Sequence, residues 1–287
     1  MGMKKLGRYR LFVLTTFALA FVSLFYMALV EPFRLVVTSW TVATPKWAYD
    51  RDLRIVLISD PHAIYPWMSN AHLERVVEAA NDLQPDIILL LGDYVATHPF
   101  GFQLSPEDGV VPYKKLRAEC GVYAVLGNHD LHESVGWPDA LERTGIPVLR
   151  NQSVRVGCYG LHFWVAGLDE LWWGDADLQK TMSDISDRNP VILMMHNPDS
   201  FSQTPADVAL TVAGHTHGGQ ISLPIIGPLS FVIPSRYGLR YVYGHIQEDE
   251  KDLVVSGGVG STGLPLRLLR PPELVVITLK KEFSPAH

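Results

Sequence analysis

The chain has 287 residues, 47% of them hydrophobic, a formal net charge of −6 and a pI near 6.0. That length holds one large domain or two small ones, and the apolar content can fill a sizeable core. No Lys/Arg-rich stripe stands out after residue 10, which argues against a dedicated nucleic-acid binder.

Leu11 to Val30 is a run of twenty uncharged residues preceded by Lys4, Lys5, Arg8 and Arg10. As a helix it spans about 30 Å, the thickness of a bilayer's hydrocarbon core. A signal peptide and a buried core helix are the other readings of such a run. Ala18-Leu19-Ala20 is a weak cleavage pattern inside the apolar stretch, and no polar segment follows it. An uncleaved single-pass anchor in the inner (plasma) membrane is therefore expected. Four basic residues before the span, against Arg34, Lys46 and Arg51 after it, place the remaining domain outside the cytoplasm by the positive-inside rule.

Residues 31–52, with Pro32, Pro45 and alternating Val36, Thr38, Trp40 and Val42, read as a juxtamembrane connector with one or two strands joining a sheet. Leu53 to Ser59 is an apolar strand, and Asn70 to Leu83 an amphipathic helix with Leu73, Val76, Val77 and Ala80 on one face. Ile87 to Leu91 completes a β-α-β unit. A loop over His98 to Asp108, a helical segment near Tyr113 to Ala118, a strand at Val122 to Leu126 and a short helix at Pro138 to Thr144 come next. Beyond Val148 the strands shorten: Val154 to Val156, Leu161 to Ala166, Ile192 to Met195, Val208 to Ala213, Arg240 to His245, Leu253 to Ser256 and Leu274 to Leu279. Cys120 and Cys158 are too few for a zinc knuckle; two buried thiols are expected, with a single disulfide as the alternative.

Polar, metal-capable residues recur where the apolar strands end: Asp60-Pro61-His62, Gly92-Asp93-Tyr94, Gly127-Asn128-His129-Asp130, a lone His196, and Gly214-His215-Thr216-His217-Gly218-Gly219-Gln220. In open α/β sheets that edge is where sites are built. Two Asp, one Asn and four His without a thiolate suit Mn²⁺, Fe, Zn²⁺ or Co²⁺ better than Ca²⁺ or Mg²⁺. Seven ligands are too many for one ion and right for two. The remaining histidines, His72, His98, His132, His162, His245 and His287, match no motif.

The ordered series Asp-x-His, Gly-Asp, Gly-Asn-His-Asp, His, Gly-His-x-His resembles the calcineurin-like metallophosphoesterase superfamily over residues 53 to about 280. Gly218-Gly219-Gln220 and Pro271-Pro272-Glu273-Leu274 resemble a narrower group of bacterial membrane-anchored phosphodiesterases. The resemblance implies an α/β fold, a four-layer α/β/β/α sandwich of two mixed sheets behind the N-terminal transmembrane helix. The division it implies is a basic flank at 1–10, the anchor at 11–30, the connector at 31–52, the metallophosphoesterase domain at 53–281 and a tail at 282–287. It implies two divalent ions, Mn²⁺ first among them. Asp60, His62 and His217 would hold one, Asn128, His196 and His215 the other, and Asp93 would bridge. Such a pair can share a water, lower its pKa towards 7 and set it in line with a phosphorus atom. His129 is implied as donor to the leaving-group oxygen, with Asp130 orienting it. Pro61 departs from the usual middle residue of Asp-x-His and holds Asp60 extended.

The expected reaction is hydrolysis of a phosphodiester or pyrophosphate on a lipid-linked or nucleotide-sugar substrate. UDP-2,3-diacylglucosamine pyrophosphatase of lipid A synthesis is the sharpest named activity, although that substrate is cytoplasmic. A phosphoprotein phosphatase, a nuclease and a non-catalytic membrane sensor retaining the fold are the alternatives. Apolar or aromatic loops, Ile64 to Met68, Phe100 to Phe102, Leu171 to Trp173 and Pro224 to Tyr237, can form a rim that docks on the bilayer or holds acyl chains. Arg236, Arg240, Arg267 and Arg270 are candidate phosphate contacts or ordinary surface charges.

Overall fold

The computed structural model describes residues 2–96, 99–132, 136–229 and 233–282, with side chains from residue 8 onward. His98, His287 and the predicted tail beyond residue 282 lie outside the described residues. Helix α1 (Gly2–Leu29) comes first. Residues 8–33 are long and apolar enough to cross a membrane, and none of that apolar window is packed inside the protein. A core helix would be covered, so the exposure removes that reading and leaves an anchor or a signal sequence.

The strands follow in chain order as β1 (Val36–Thr44), β2 (Leu53–Ile58), β3 (Ile64–Tyr65), β4 (Ile87–Leu90), β5 (Phe102–Gln103), β6 (Val122–Ala124), β7 (Gln152–Cys158) and β8 (Leu161–Gly167). Then come β9 (Val191–Met194), β10 (Leu210–Ala213), β11 (Ser222–Leu223), β12 (Gly227–Pro228), β13 (Gly244–Glu248), β14 (Lys251–Val255) and β15 (Glu273–Lys281). Between them lie α2 (Asn70–Asp82), α3 (Pro106–Gly109), α4 (Asn128–His132), α5 (Trp137–Glu142) and α6 (Leu178–Met182).

One five-stranded sheet runs β1-β15-β2-β4-β6, and a six-stranded one runs β13-β14-β10-β9-β8-β7. Each mixes parallel and antiparallel pairs. The central strands are apolar on both faces because both are covered. In β2, Ile55 and Leu57 face the second sheet, where Ile192, Met194, Leu210 and Val212 meet them. Val56 and Ile58 face outward onto Leu73, Val76 and Val77 of α2. The outer face of the second sheet packs Leu193, Leu253 and Phe201 in a third cluster. These are the expected four layers.

Ser69 caps α2, its side chain accepting the His72 amide, so the helix begins at Asn70 as the periodicity predicts. Two local expectations shift. The segment expected to be helical near Tyr113 is a 3₁₀ turn, Pro112–Lys115, behind the one-turn α3 that Ser105 caps. The strand expected from Arg240 begins only at Gly244. Tyr241 is buried there because it closes on Phe201 and Tyr237 in an aromatic turn, which mimics strand alternation. The connector supplies β1, paired in parallel with β15 along nine residues.

Cys120 and Cys158 are not two core thiols: they form a disulfide, with Cα atoms 5.3 Å apart. Cys120 precedes β6 and Cys158 ends β7, so the bond ties the edge strands of the two sheets together.

Candidate metal centre

Five strand ends deliver the site. Asp60 and His62 follow β2, Asp93 follows β4, Asn128 and His129 open α4 after β6, His196 follows β9, and His215 and His217 follow β10. These strands come from both sheets, and their C-terminal ends meet at one edge of the sandwich. Asp60, His62, Asp93, His215 and His217 all have positive φ, between 45° and 70°, so Asp60 is left-handed and not extended as expected ahead of Pro61. Left-handed backbone in a residue other than glycine costs about 1–3 kcal/mol each and clusters where function requires it. Glycines make the approach possible. A Cβ on Gly127 would run into the Asp93 side chain, and one on Gly214 would strike Ser59 and Asp60.

All seven predicted ligand residues come together, and six of them are buried. Asp60, His62 and His217 form one cluster and Asp93, His196 and His215 another, each with ligand atoms within 4.8 Å of one another. The Asn128 Oδ1 lies 3.2 Å from His196 Nε2, beside the second cluster. Asp93 Oδ2 is 3.6 Å from His62 Nε2 and 3.2 Å from His196 Nε2, between the two groups.

Backbone carbonyls fix the imidazoles. His62 Nδ1 donates to Val95 O at 2.9 Å, His196 Nδ1 to Leu91 O at 2.7 Å, and His215 Nε2 to Pro234 O at 2.9 Å. These carbonyls can only accept, so the hydrogens sit on the outward nitrogens and the inward ones carry lone pairs. His62 Nε2 then faces His217 Nε2 at 3.0 Å, and His215 Nδ1 faces His196 Nε2 at 3.1 Å. Carboxylate and amide oxygens complete a shell made of acceptors. Such a set gathers positive charge, as protons on some imidazoles when no metal is bound, and the residues fit divalent metal ions.

The electrostatics agree. Burial opposes charge on Asp93, yet His196, His62 and His129 hold its carboxyl well below the usual range. Burial likewise opposes a charged His196, but Asp93 raises it to about 10. Burial, reinforced by His196, pushes His215 down to about 3, and burial with His62 and Arg267 lowers His217 well below its ordinary value. Burial pushes Asp60 up to about 6. The site draws one positive charge to the Asp93–His196 pair and keeps its other affected imidazoles neutral, the form that ligates.

His129 lies beside the cluster, its ring 5.0 Å from that of His62 and its amide donating to Asp93 Oδ1 at 2.9 Å. The Asp130 carboxylate is taken up by backbone amides: Asp93 and Gly127 at 2.8 Å, Tyr94 at 2.7 Å and Val95 at 3.3 Å. It clamps the Gly92-Asp93 loop to the loop bearing His129.

Sequence reasoning missed two supporting groups. Ser59 donates its hydroxyl to Asp60, and a small polar residue at a strand end was the available signal. Arg267 is neither a surface charge nor free to contact phosphate. It is wholly buried, and its guanidinium donates to the carbonyls of Gly257, Gly258, Gly260 and Arg270 beside His217. Arg240 pairs with Glu248, Arg236 lies 3.9 Å from Asp199, and Arg270 stacks over Tyr243. Trp172 packs edge-on to His215, its amide and that of Trp173 held by Glu170.

Comparison with known proteins follows the geometry. Residues 53–219 match the family model for calcineurin-like phosphoesterase. The chain is 35% identical over 263 residues to the uncharacterized metallophosphoesterase YkuE of Bacillus subtilis, covering 89% of each. It is 33% identical to the phosphodiesterase YaeI of Escherichia coli, covering 68% of this chain and 71% of that one. A zebrafish (Danio rerio) transmembrane protein with a metallophosphoesterase domain is 29% identical over 80% of this chain and 53% of its own length.

Proposed function

This chain belongs to the calcineurin-like phosphoesterase family and is a phosphoester hydrolase; on that premise we propose that it is a membrane-anchored, two-metal phosphodiesterase or pyrophosphatase. The observation that carries the two-metal reading is Asp93 Oδ2, placed between the imidazoles of His62 and His196. Asp60, His62 and His217 would hold one ion and Asn128, His196 and His215 the other, with Asp93 serving both. Nitrogen-rich ligation without thiolate favours Mn²⁺, with Fe, Zn²⁺ and Co²⁺ as alternatives.

Two such ions supply Lewis acidity, making a water nucleophile available near neutral pH and neutralising phosphate charge. The chain's own groups do the rest. His129 meets the leaving-group oxygen and holds the proton it takes up, a role typically contributing about 10²–10⁴-fold. Asp130 fixes the two loops that set the distance between Asp93 and His129. Val95, Leu91 and Pro234 keep the ring hydrogens pointing outward, and Trp172 shields His215 from water.

The span lies in the plasma membrane, the inner membrane of a cell that has two, with the domain outside the cytoplasm. Two features support that side: the basic residues ahead of α1, and the disulfide, because such bonds persist in oxidising compartments. A lipid-linked phosphodiester or pyrophosphate exposed on that side is the favoured substrate. UDP-2,3-diacylglucosamine is the substrate to expect only if the domain faces the cytoplasm.

The test uses the full chain with Mn²⁺, assayed against bis(p-nitrophenyl) phosphate, lipid-linked diphosphates and UDP-2,3-diacylglucosamine, with metal counted by elemental analysis. Two ions per chain and diester hydrolysis abolished by chelation are expected. Activity persisting at near-zero metal content would sink the two-metal reading.

A further inference from the structure

The surface beside the candidate centre is apolar where no packing calls for it. Ile225 and Ile226, at the tip of the β11-β12 hairpin, are 107% and 71% exposed. Leu264 and Leu269 stand open on the neighbouring loop, and Tyr65 and Phe102 on another. Soluble surfaces seldom gather apolar side chains in this way, and such patches mark interaction sites.

What covers this patch is indicated by the end of α1. The last carbonyls of a helix have no partner within it. Here they are taken by the domain: Arg267 N donates to Met27 O at 3.0 Å, and the Trp67 indole donates to Ala28 O at 3.4 Å. Arg267 adjoins Leu268, which bonds to Ser222 at the base of the hairpin. Trp67 belongs to the loop whose Tyr65 pairs with Phe102. The final turn of the apolar helix is thus held by the loop of Leu264 and Leu269, which bonds to the base of the hairpin, and by the loop of Tyr65. Arg270 N donating to Glu31 Oε1 at 2.8 Å extends the grip beyond the helix. An apolar helix held by the domain at its last turn would set the membrane surface close to the loops that hold it.

We infer that the hairpin tip, with Leu264, Leu269, Tyr65 and Phe102, inserts into the bilayer that α1 crosses and holds the metal centre against the membrane surface. A cavity of about 360 Å³ lined by His217, Gln220, Ile221, Leu229, Pro234 and Leu264 runs from the centre along the hairpin. Resting on the phosphoesterase reading, it admits an amphiphilic phosphoester whose apolar part stays in the lipid while its phosphorus reaches the centre. The docking itself does not depend on that reading.

The test places nitroxide labels on Ile225→Cys, Ile226→Cys and Phe102→Cys in the full chain. The protein is reconstituted in nanodiscs of phosphatidylcholine and phosphatidylglycerol. Tyr159→Cys, in the β7-β8 turn at the far edge of the sandwich, is the control. Labels at 225, 226 and 102 are expected to collide with oxygen several-fold more than with a water-soluble nickel chelate, and the label at 159 the reverse. Nickel accessibility at 225 and 226 equal to that at 159 would overturn the proposal. Shielding of both positions from both reagents would also overturn it, since a protein would then cover the patch. As a second measurement, Ile225→Glu with Ile226→Glu should lower hydrolysis of a vesicle-borne phosphodiester about tenfold at unchanged metal content. Lipid-exposed labels on a protein that hydrolyses nothing would refute the enzyme reading and leave the docking intact.

Discussion

The two edges of the sandwich are built on opposite terms. At the site edge, five candidate ligand residues sit in left-handed backbone, imidazole nitrogens face one another, and buried carboxylates crowd together. At the far edge, a disulfide joins the sheets, Trp47 packs on Phe163, and Arg51 stacks over Tyr159. A larger hollow of about 490 Å³, lined by Lys46 and residues 247–252, also opens there, far from the chemistry. The difference teaches where folding free energy is gained and where it is given up for function. Substitutions at the site edge are expected to remove activity at little cost in stability, and substitutions at the far edge the reverse.

The strongest attempt to break that contrast is Asp93→Ala. Losing the one carboxylate placed between both groups should empty the site and lower kcat by about 10³-fold or more, the scale of lost transition-state charge stabilisation. Thermal unfolding of the metal-free protein should shift little, because the repulsion relieved at Asp60 offsets the lost pairing with His196. A metal-free Tm falling by more than about 4 °C, roughly 1 kcal/mol, would show that the edge contributes to stability after all.

Next comes His129→Ala, expected to keep both ions by elemental analysis while kcat falls by about 10²-fold, most for diesters with poor leaving groups. Loss of metal instead would move His129 into the ligand set, since its ring lies within reach of His62 and Asp93.

The smallest effect on activity belongs to Cys120→Ser with Cys158→Ser. The bond closes 38 residues, so its removal should cost about 3–4 kcal/mol in denaturant unfolding. The kcat should stay within about twofold. A large fall in kcat would mean that the far edge positions the site.

The candidate ligands were legible because their chemistry is local: a metal-capable residue just past an apolar strand is visible without knowing which strands adjoin. The four layers were legible through the resemblance that the motifs carry, and strands covered on both faces, such as Leu53 to Ile58, agree with it. What escaped depends on contacts distant in sequence. Cys120 and Cys158 pair only because two edge strands of different sheets meet. The burial of Arg267 is set by carbonyls of residues 257–260 that fold around its guanidinium. Tyr241 alternates with its neighbours through an aromatic turn, and no periodicity separates that from a strand.

The position of β15 has a consequence for synthesis. Residues 273–281 lie between β1 and β2, more than two hundred residues after the strands they separate. While the chain is being made, β1 has no partner in its sheet and β2 has one open side. An apolar α1 that enters the bilayer first would hold this half-built sheet at the membrane through nearly all of translation. Closing contacts so remote in sequence is slow, and unpaired strand edges invite wrong pairing meanwhile. Nascent chains halted before Glu273 should therefore be cut by protease within the first sheet, and chains released past Lys281 should resist.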